Sequence, residues 1–163
     1  MSVSASTAEL ETTEMAFERA YASHWADVFR FALAWTNDWA SAEDLAQDSF
    51  ACLWRSRGTL DWSRPMMPWL LCVTRHGATD RARSLRRWFS GGGGELEMSS
   101  ADRDTWLDVK AAMRRLSHEE RAALVATTVL GLTSKEAAVA LGVTDGAVRA
   151  AVSRGRHKLE AER

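Results

Sequence analysis

Apolar residues recur along this chain at helical steps. Phe17, Tyr21, Val28, Ala32 and Trp35 are spaced by three, four or seven residues, which lines up one apolar face of a first helix. Leu45, Ala46, Phe50, Leu53 and Trp54 do the same in a second helix. Pro68 suits the first turn of a third, where its missing N–H costs nothing, and Trp69, Leu70 and Val73 follow it. Strand signals are nearly absent, because β-branched residues are sparse. Helix starts are marked by hydroxyl–acid pairs three residues apart: Ser41 with Asp44, Ser117 with Glu120 and Thr133 with Glu136. Such capping boxes satisfy the orphan N–H groups of a first turn.

The run Ser90-Gly91-Gly92-Gly93-Gly94 cannot pack, and it continues through Glu95–Asp104 as a flexible acidic linker. The predicted fold is therefore all-α, with two small helical domains on a tether. Residues 1–14 are expected as a disordered tail, 15–89 as an N-terminal helical bundle, 90–105 as the linker and 106–163 as the C-terminal domain.

In that C-terminal domain, a capped short helix beginning at Thr133 ends at Gly142, which can take the left-handed cap conformation. Val143 seals the turn and Thr144 caps the next helix. The small Ala138 lets the two helices approach, and Val148, Val152 and Leu159 form the inward stripe of the second. This is a helix-turn-helix pattern, supported by a helix over Ser117–Leu130 with Leu116, Leu124, Val125 and Leu130 as core. Arg149, Ser153 and Arg156 share the opposite face, flanked by Arg154 and Lys158. In such motifs the second helix enters the major groove, where Arg can bond a guanine in bidentate fashion and other cations neutralise phosphates.

Composition narrows the class. The chain has 163 residues, 46% hydrophobic and 26% charged, which suits a globular protein of one or two small domains. No apolar run reaches the roughly 18 residues of a membrane-spanning helix, and Met1–Glu14 lacks the features of a secretory signal. Two cysteines are too few for a disulfide scaffold, so a cytoplasmic, reducing setting is expected. The net charge of −1 hides a division. Residues 1–90 carry 10 basic and 11 acidic side chains, 91–105 one basic and four acidic, and 106–163 10 basic and seven acidic. Within these blocks Arg75, Arg81, Arg83, Arg86 and Arg87 face only Asp80, giving one basic patch. The recognition-helix cations give a second. Eight Trp is many for this length.

The second helix also carries a polar edge, with Asp44, Gln47 and Asp48 at helical spacing, suited to basic residues of a partner. The segment Pro68–Trp88 mixes cations with aromatics, which suits single-stranded DNA, where bases stack on rings and cations track the backbone. Trp69 is expected in the core, and Trp88 and Phe89 at the surface. The four His (24, 76, 118 and 157) and two Cys lack ligand spacing, so no metal site is expected. No phosphate loop is present either, since Gly91–Gly94 follows no strand and lacks the Lys-Ser/Thr ending. Neither a cofactor nor an enzymatic activity is expected.

Together these segments resemble the extracytoplasmic-function sigma factors, small two-domain initiation factors of bacterial RNA polymerase. The resemblance covers about Phe17–Trp88 and Val109–Glu160. Ser41–Trp54 is similar to the family segment AEDLxQExFxxxW, which implies that Asp44, Gln47, Asp48 and Ala51 dock on a coiled coil of the largest catalytic subunit of core RNA polymerase. Trp69–Arg87 resembles WLxxIARNxxxDxxR, implying that Arg75, His76, Asp80, Arg81, Arg83, Arg86 and Arg87 melt and read the minus-ten element of promoter DNA. Leu116–Leu159 resembles the minus-35-reading domain, with LxxxER at Leu116–Arg121 and EAAxALG at Glu136–Gly142. That implies minus-35 contacts from Thr144, Asp145, Gly146, Arg149, Ser153, Arg154 and Arg156. The resemblance further implies an acidic tether threaded through the polymerase channels and a cognate anti-sigma factor as a second protein partner.

Three departures from the family pattern bear on promoter choice. Thr74-Arg75-His76 stands where relatives have Ala-Arg-Asn, so the flipped base can differ. Ala147, Ala150 and Ala151 thin out direct contacts in the recognition helix and favour shape readout. Gly155 replaces a usual Ala, at an expected cost of about 1 kcal/mol in a helix interior. The competing function is a stand-alone helix-turn-helix regulator, which would bind as a symmetric dimer on a palindrome and leave the N-terminal faces without a purpose.

Overall fold

The computed structural model describes the backbone of residues 3–85 and 110–161, with side chains over 12–80 and 110–161. The expected linker, 90–105, lies outside the described residues. All elements are helical. Helices α1 (Val3–Thr36), α2 (Trp39–Ser56) and α3 (Met67–Leu85) form the N-terminal domain. Helix α4 (His118–Leu124), a π-helical turn (Val125–Val129), α5 (Ser134–Leu141) and α6 (Asp145–Glu160) form the C-terminal one.

Two helix starts differ from expectation. Residues 3–14, expected in a tail, enter the first turns of α1, where Ala5, Ala8, Leu10 and three glutamates favour helix and no Gly or Pro interrupts. Helix α2 is capped by Asp38 rather than Ser41: Asp38 Oδ2 accepts from the Ser41 N–H at 2.9 Å. Asn37 makes the sharp entry possible with φ 50, a left-handed conformation that Asn tolerates better than most side chains. The other two capping boxes form as the spacing predicts, at Ser117/Glu120 and Thr133/Glu136.

The supporting helix is not α-helical to Leu130. The Leu130 N–H donates to Val125 O, five residues back, at 2.9 Å, and the Leu132 N–H to Ala126 O at 3.0 Å. This extra residue per turn rotates the downstream side chains about the helix axis, leaving Val129 exposed while Val125 and Ala126 stay buried. Gly131, at φ 69, then turns the chain into α5.

The aromatics fill the seam between α1 and α2. Phe17 meets Trp54 edge-on with ring centroids 5.0 Å apart, Tyr21 stacks on Trp25 at 5.2 Å, and Tyr21 touches Phe50 at 4.8 Å. Below this ladder Val28, Leu53 and Leu70 are fully buried, and Trp69 packs against the same cluster as expected. Between α2 and α3 the hydroxyls of Ser49 and Thr74 lie 2.9 Å apart in the core. Thr74 thus fills a structural role in the core, its hydroxyl also donating to Leu70 O at 2.8 Å.

A further apolar cluster joins the two domains. Phe31 of α1 and Leu71 of α3 are wholly buried among Ala122, Ala126, Ala137, Ala140 and Val148 of the C-terminal domain. Each such side chain removed from water contributes about 2 kcal/mol. Polar contacts reinforce the joint. The Arg121 guanidinium donates to Ala34 O at 2.6 Å and Trp35 O at 3.4 Å in α1, and to Leu116 O at 2.7 Å and Met113 O at 3.1 Å in its own domain. The two domains foreseen on a tether therefore meet in one continuous core.

Candidate nucleic-acid interface and docking helix

Helix α6 is positioned by its caps and by two close approaches. Gly142 takes φ 65, and the Val143 N–H returns to Ala138 O at 3.1 Å, closing the turn. Thr144 Oγ1 then accepts from the Ala147 N–H at 3.2 Å. Val148 is buried as the inward stripe requires, while Val152 and Leu159 are half-buried. Gly155 faces α4: a Cβ there would lie 2.7 Å from Leu124 Cδ1. The residue expected as a mere helix penalty is what lets α4 and α6 pack this closely.

Of the minus-35 candidates, Thr144, Gly146, Arg149, Ser153, Arg154 and Arg156 are exposed, and Asp145 is half-buried. Asp145 Oδ2 holds the Arg149 guanidinium at 3.3 Å, one turn away, which limits the rotamers that Arg must give up on binding. Arg154 has a second partner, since its Nε lies 3.4 Å from Glu120 Oε1. Lys158 Nζ is closer still to Glu120, at 2.8 Å from Oε2. The Lys158 hydrogen bond, with the Ser117 N–H and Arg154 behind it, holds the Glu120 carboxyl below its ordinary range. The two flanking cations thus fasten α6 to α4, and Arg149, Ser153 and Arg156 remain as an exposed set on its outer face.

Five further residues join that face. Thr127, Ser134, Val152, His157 and Glu160 line one polar groove with Arg149, Ser153 and Arg156. The sequence spacing carries a signal for His157, which lies four residues from Ser153 and eight from Arg149. It carries none for Thr127, brought there by the π-helical turn, or for Ser134, which opens α5.

On α3, His76 and Asp80 are exposed and Arg75 is half-buried. Arg75 Nη2 lies 3.0 Å from His76 Nε2, and His76 Nδ1 lies 3.7 Å from Cys72 Sγ. Arg75 Nε meanwhile donates to Ala140 O of α5 at 3.2 Å. Arg81 and Arg83 fall in the last turns of α3, but their side chains, and all of Arg86 and Arg87, lie outside the described residues, as do Trp88 and Phe89. Only part of the expected minus-ten set is therefore seen together.

On α2, Asp44, Gln47, Asp48 and Ala51 are all exposed, opposite the buried Ala42, Leu45, Ala46, Ser49, Phe50 and Leu53. Trp54 ends this edge, 36% exposed, with the Arg57 guanidinium 3.9 Å above its ring. Among the described residues no cluster of His, Cys, Asp or Glu could hold a metal ion, and no helix is long and apolar enough to cross a membrane.

Residues 20–88 match the Sigma-70 region 2 family, and residues 106–159 match Sigma-70, region 4. A region 2 followed by a region 4 that carries a helix-turn-helix defines the class, a sigma-70-type transcription initiation factor. The chain is 32% identical over 148 residues to the ECF RNA polymerase sigma factor SigL of Mycobacterium tuberculosis, covering 83% of this chain and 82% of SigL. It is 30% identical to the RNA polymerase sigma factor CarQ of Myxococcus xanthus, covering 88% and 87%. A probable RNA polymerase sigma factor, RfaY of Xanthomonas campestris, is 34% identical, but the match spans only 36% of that longer protein. CnrH, solved in complex with the cytosolic domain of CnrY, superposes with a TM-score of 0.70 at 26% identity, over 91% of this chain and 87% of CnrH. RpoE of Bartonella quintana, solved with the anti-sigma factor NepR, shares the fold with a TM-score of 0.72 at 21% identity, over 89% of this chain and 94% of RpoE. The chain belongs to the ECF family of RNA polymerase sigma factors, the initiation factors that direct core RNA polymerase to promoters. The stand-alone regulator is not favoured.

Proposed function

We propose that this sigma factor docks on core RNA polymerase through Asp44, Gln47, Asp48 and Ala51, reads the minus-35 element with α6, and melts and reads the minus-ten element with α3. The observation that carries the docking assignment is the two-sidedness of α2: every inward position is apolar or small, and the four outward residues form one exposed acidic edge. A carboxylate edge pairs with cations on a polymerase helix and steers association more than it adds affinity. On α6, Arg149 held by Asp145 contacts a base edge, while Arg156 and His157 contact the phosphate backbone. Melting is a trapping event, in which holding an unpaired base offsets a few kcal/mol of lost stacking. The exposed His76 stands where that base would be held. Nucleotide chemistry belongs to the polymerase, so the sigma factor acts by positioning, in the cytoplasm and without a cofactor.

The partner relationship extends to an anti-sigma factor. The two solved structures were determined with CnrY and NepR bound, and here an apolar cleft between the domains is lined by Leu33, Ala34, Met113, Val125 and Val129. An amphipathic helix of such a partner would cover this cleft.

The deciding experiment is size exclusion of the protein with sigma-free core polymerase, beside an Asp44→Arg, Asp48→Arg double variant. Co-elution lost in the variant supports the docking face, co-elution kept moves the interface elsewhere, and no co-elution of either protein sinks the assignment.

A further inference from the structure

Over the first two turns of α6, the positions that face directly away from the core bear nothing larger than a methyl group. Val148, Ala151 and Gly155 are the buried residues of this helix. Helical period then sets Gly146 and Ala150 on the opposite side, with Ser153 and His157 continuing the same line and Ala147 beside it. Gly146, Ala147 and Ala150 are all exposed. A Cβ on Gly146 would meet no atom within 4 Å, so the space above this turn is open. The neighbouring cations are held by partners of their own. The Arg149 guanidinium lies 3.3 Å from Asp145, and Arg154 Nε lies 3.4 Å from Glu120. Neither can fold over Ala150 without giving up that carboxylate. Val143, just before the Thr144 cap, is 45% exposed and adds a larger apolar side chain at the entry to the same helix.

The first residues of a recognition helix are the ones that meet base edges in the major groove. Gly and Ala side chains carry no donor or acceptor, so they cannot match the hydrogen-bonding pattern of a base pair. A methyl group does have one partner there, the C5-methyl group of thymine. The other three bases offer polar edges or bare ring, and an apolar contact leaves a buried polar edge unpaired at a cost. From this arrangement we propose that Ala147 and Ala150 select thymine in the minus-35 element, by contact between their methyl groups and the C5-methyl group of the base. Adjacent positions of α6 then contribute two kinds of specificity, hydrogen bonding from Arg149 and apolar contact from the alanines. The inference deepens, and rests on, the proposed reading of the minus-35 element by α6.

The test uses the full-length protein and short DNA duplexes of randomised sequence. Repeated capture and sequencing give the preferred duplex. Each of its thymines is then replaced singly by deoxyuridine, which lacks only the C5-methyl group, and binding is read by fluorescence anisotropy. At the thymines that face Ala147 and Ala150, the wild type is expected to bind the deoxyuridine duplex about fourfold more weakly, the value of one methyl group removed from water. Ala150→Gly and Ala147→Gly should each bind the two duplexes alike at one of those thymines. Circular dichroism checks helix content, and where a glycine variant loses helix, Ala150→Ser or Ala147→Ser takes its place. Failure to enrich any sequence would overturn the reading of DNA by α6, and the thymine contact with it. A preferred duplex bound equally well with deoxyuridine at every thymine would overturn the methyl contact alone. A loss on deoxyuridine that persists unchanged in both alanine variants would assign the effect to DNA shape and overturn the inference as well.

Discussion

Gly155 and Leu124 are matched across the α4–α6 contact, with Leu124 Cδ1 standing 2.7 Å from the place a Cβ on Gly155 would take. Alanine there would gain about 1 kcal/mol of helix propensity. It would also push against a Leu that is only 7% exposed and has little room to turn. Overpacking of this kind costs about 1–3 kcal/mol, so packing wins. Gly155→Ala is expected to lower stability by about 1 kcal/mol in urea unfolding, and a stabilised variant would show that Leu124 rotates freely.

Glu120 gives the fold an acid limit. Its carboxyl is held low chiefly by the hydrogen bond from Lys158, and the unfolded chain has no such partner. A depressed folded pKa means that the contribution is complete above the ordinary value of 4.5 and is lost as pH falls from there through the folded value. Glu136, bonded to its cap residue Thr133, shifts in the same direction. Glu120→Gln keeps the cap acceptor and removes the charge. Because Lys158 and Arg154 remain partly in water, the expected loss at neutral pH is about 2 kcal/mol, below that of a fully buried pair. The measurement is unfolding free energy against pH, in which the variant should lose much of the fall below about pH 5.

Arg149 and Arg156 should behave differently when removed. Replacing a bidentate base contact costs about 1–3 kcal/mol and relaxes discrimination at one position, whereas replacing a phosphate contact weakens all sequences alike and flattens the salt dependence by about one unit. Arg149→Ala is expected to follow the first pattern and Arg156→Ala the second, in binding to promoter duplexes across a salt series. The reverse outcome would exchange their roles.

Arg121 ties α1 to the C-terminal domain through four carbonyl oxygens. Burial pulls its pKa below the usual guanidinium value, yet the group stays charged at any physiological pH. Lysine cannot reproduce the planar fork. Arg121→Lys should therefore cost about 2 kcal/mol, with the loss visible as a lower thermal midpoint and as a more extended solution form.

Helix content and the helix-turn-helix were legible in the sequence because they rest on local rules: apolar period, capping boxes at Thr133 and Ser117, and a left-handed Gly142. The outward set on α2 came from the same period. The π-helical turn was not legible, since Val125–Val129 has no composition that distinguishes it from α-helix. Nor was the joint between domains, because Phe31 and Leu71 show only as two more apolar positions, and their partner lies beyond a long stretch of chain. Gly155 was misjudged for a related reason, as propensity is counted along one helix and the neighbour that needs the gap belongs to another. Spacing sets Arg154 beside the Arg149–Ser153–Arg156 face and the resemblance implies a DNA contact for it, and neither carries a sign of Glu120, whose Oε1 stands 3.4 Å from its Nε.

The aromatic ladder leaves the molecule with an uneven optical make-up. Trp25, Trp35, Trp39, Trp54, Trp62 and Trp69 lie within residues 12–80, and residues 110–161 contain no tryptophan. Trp35 alone reaches across, its ring 4.8 Å from that of His118. Six of the eight indoles therefore report the N-terminal half, whereas far-ultraviolet dichroism weighs both halves by their helix. Melting curves recorded the two ways on one unlabelled sample will coincide when the halves unfold together and separate when they do not.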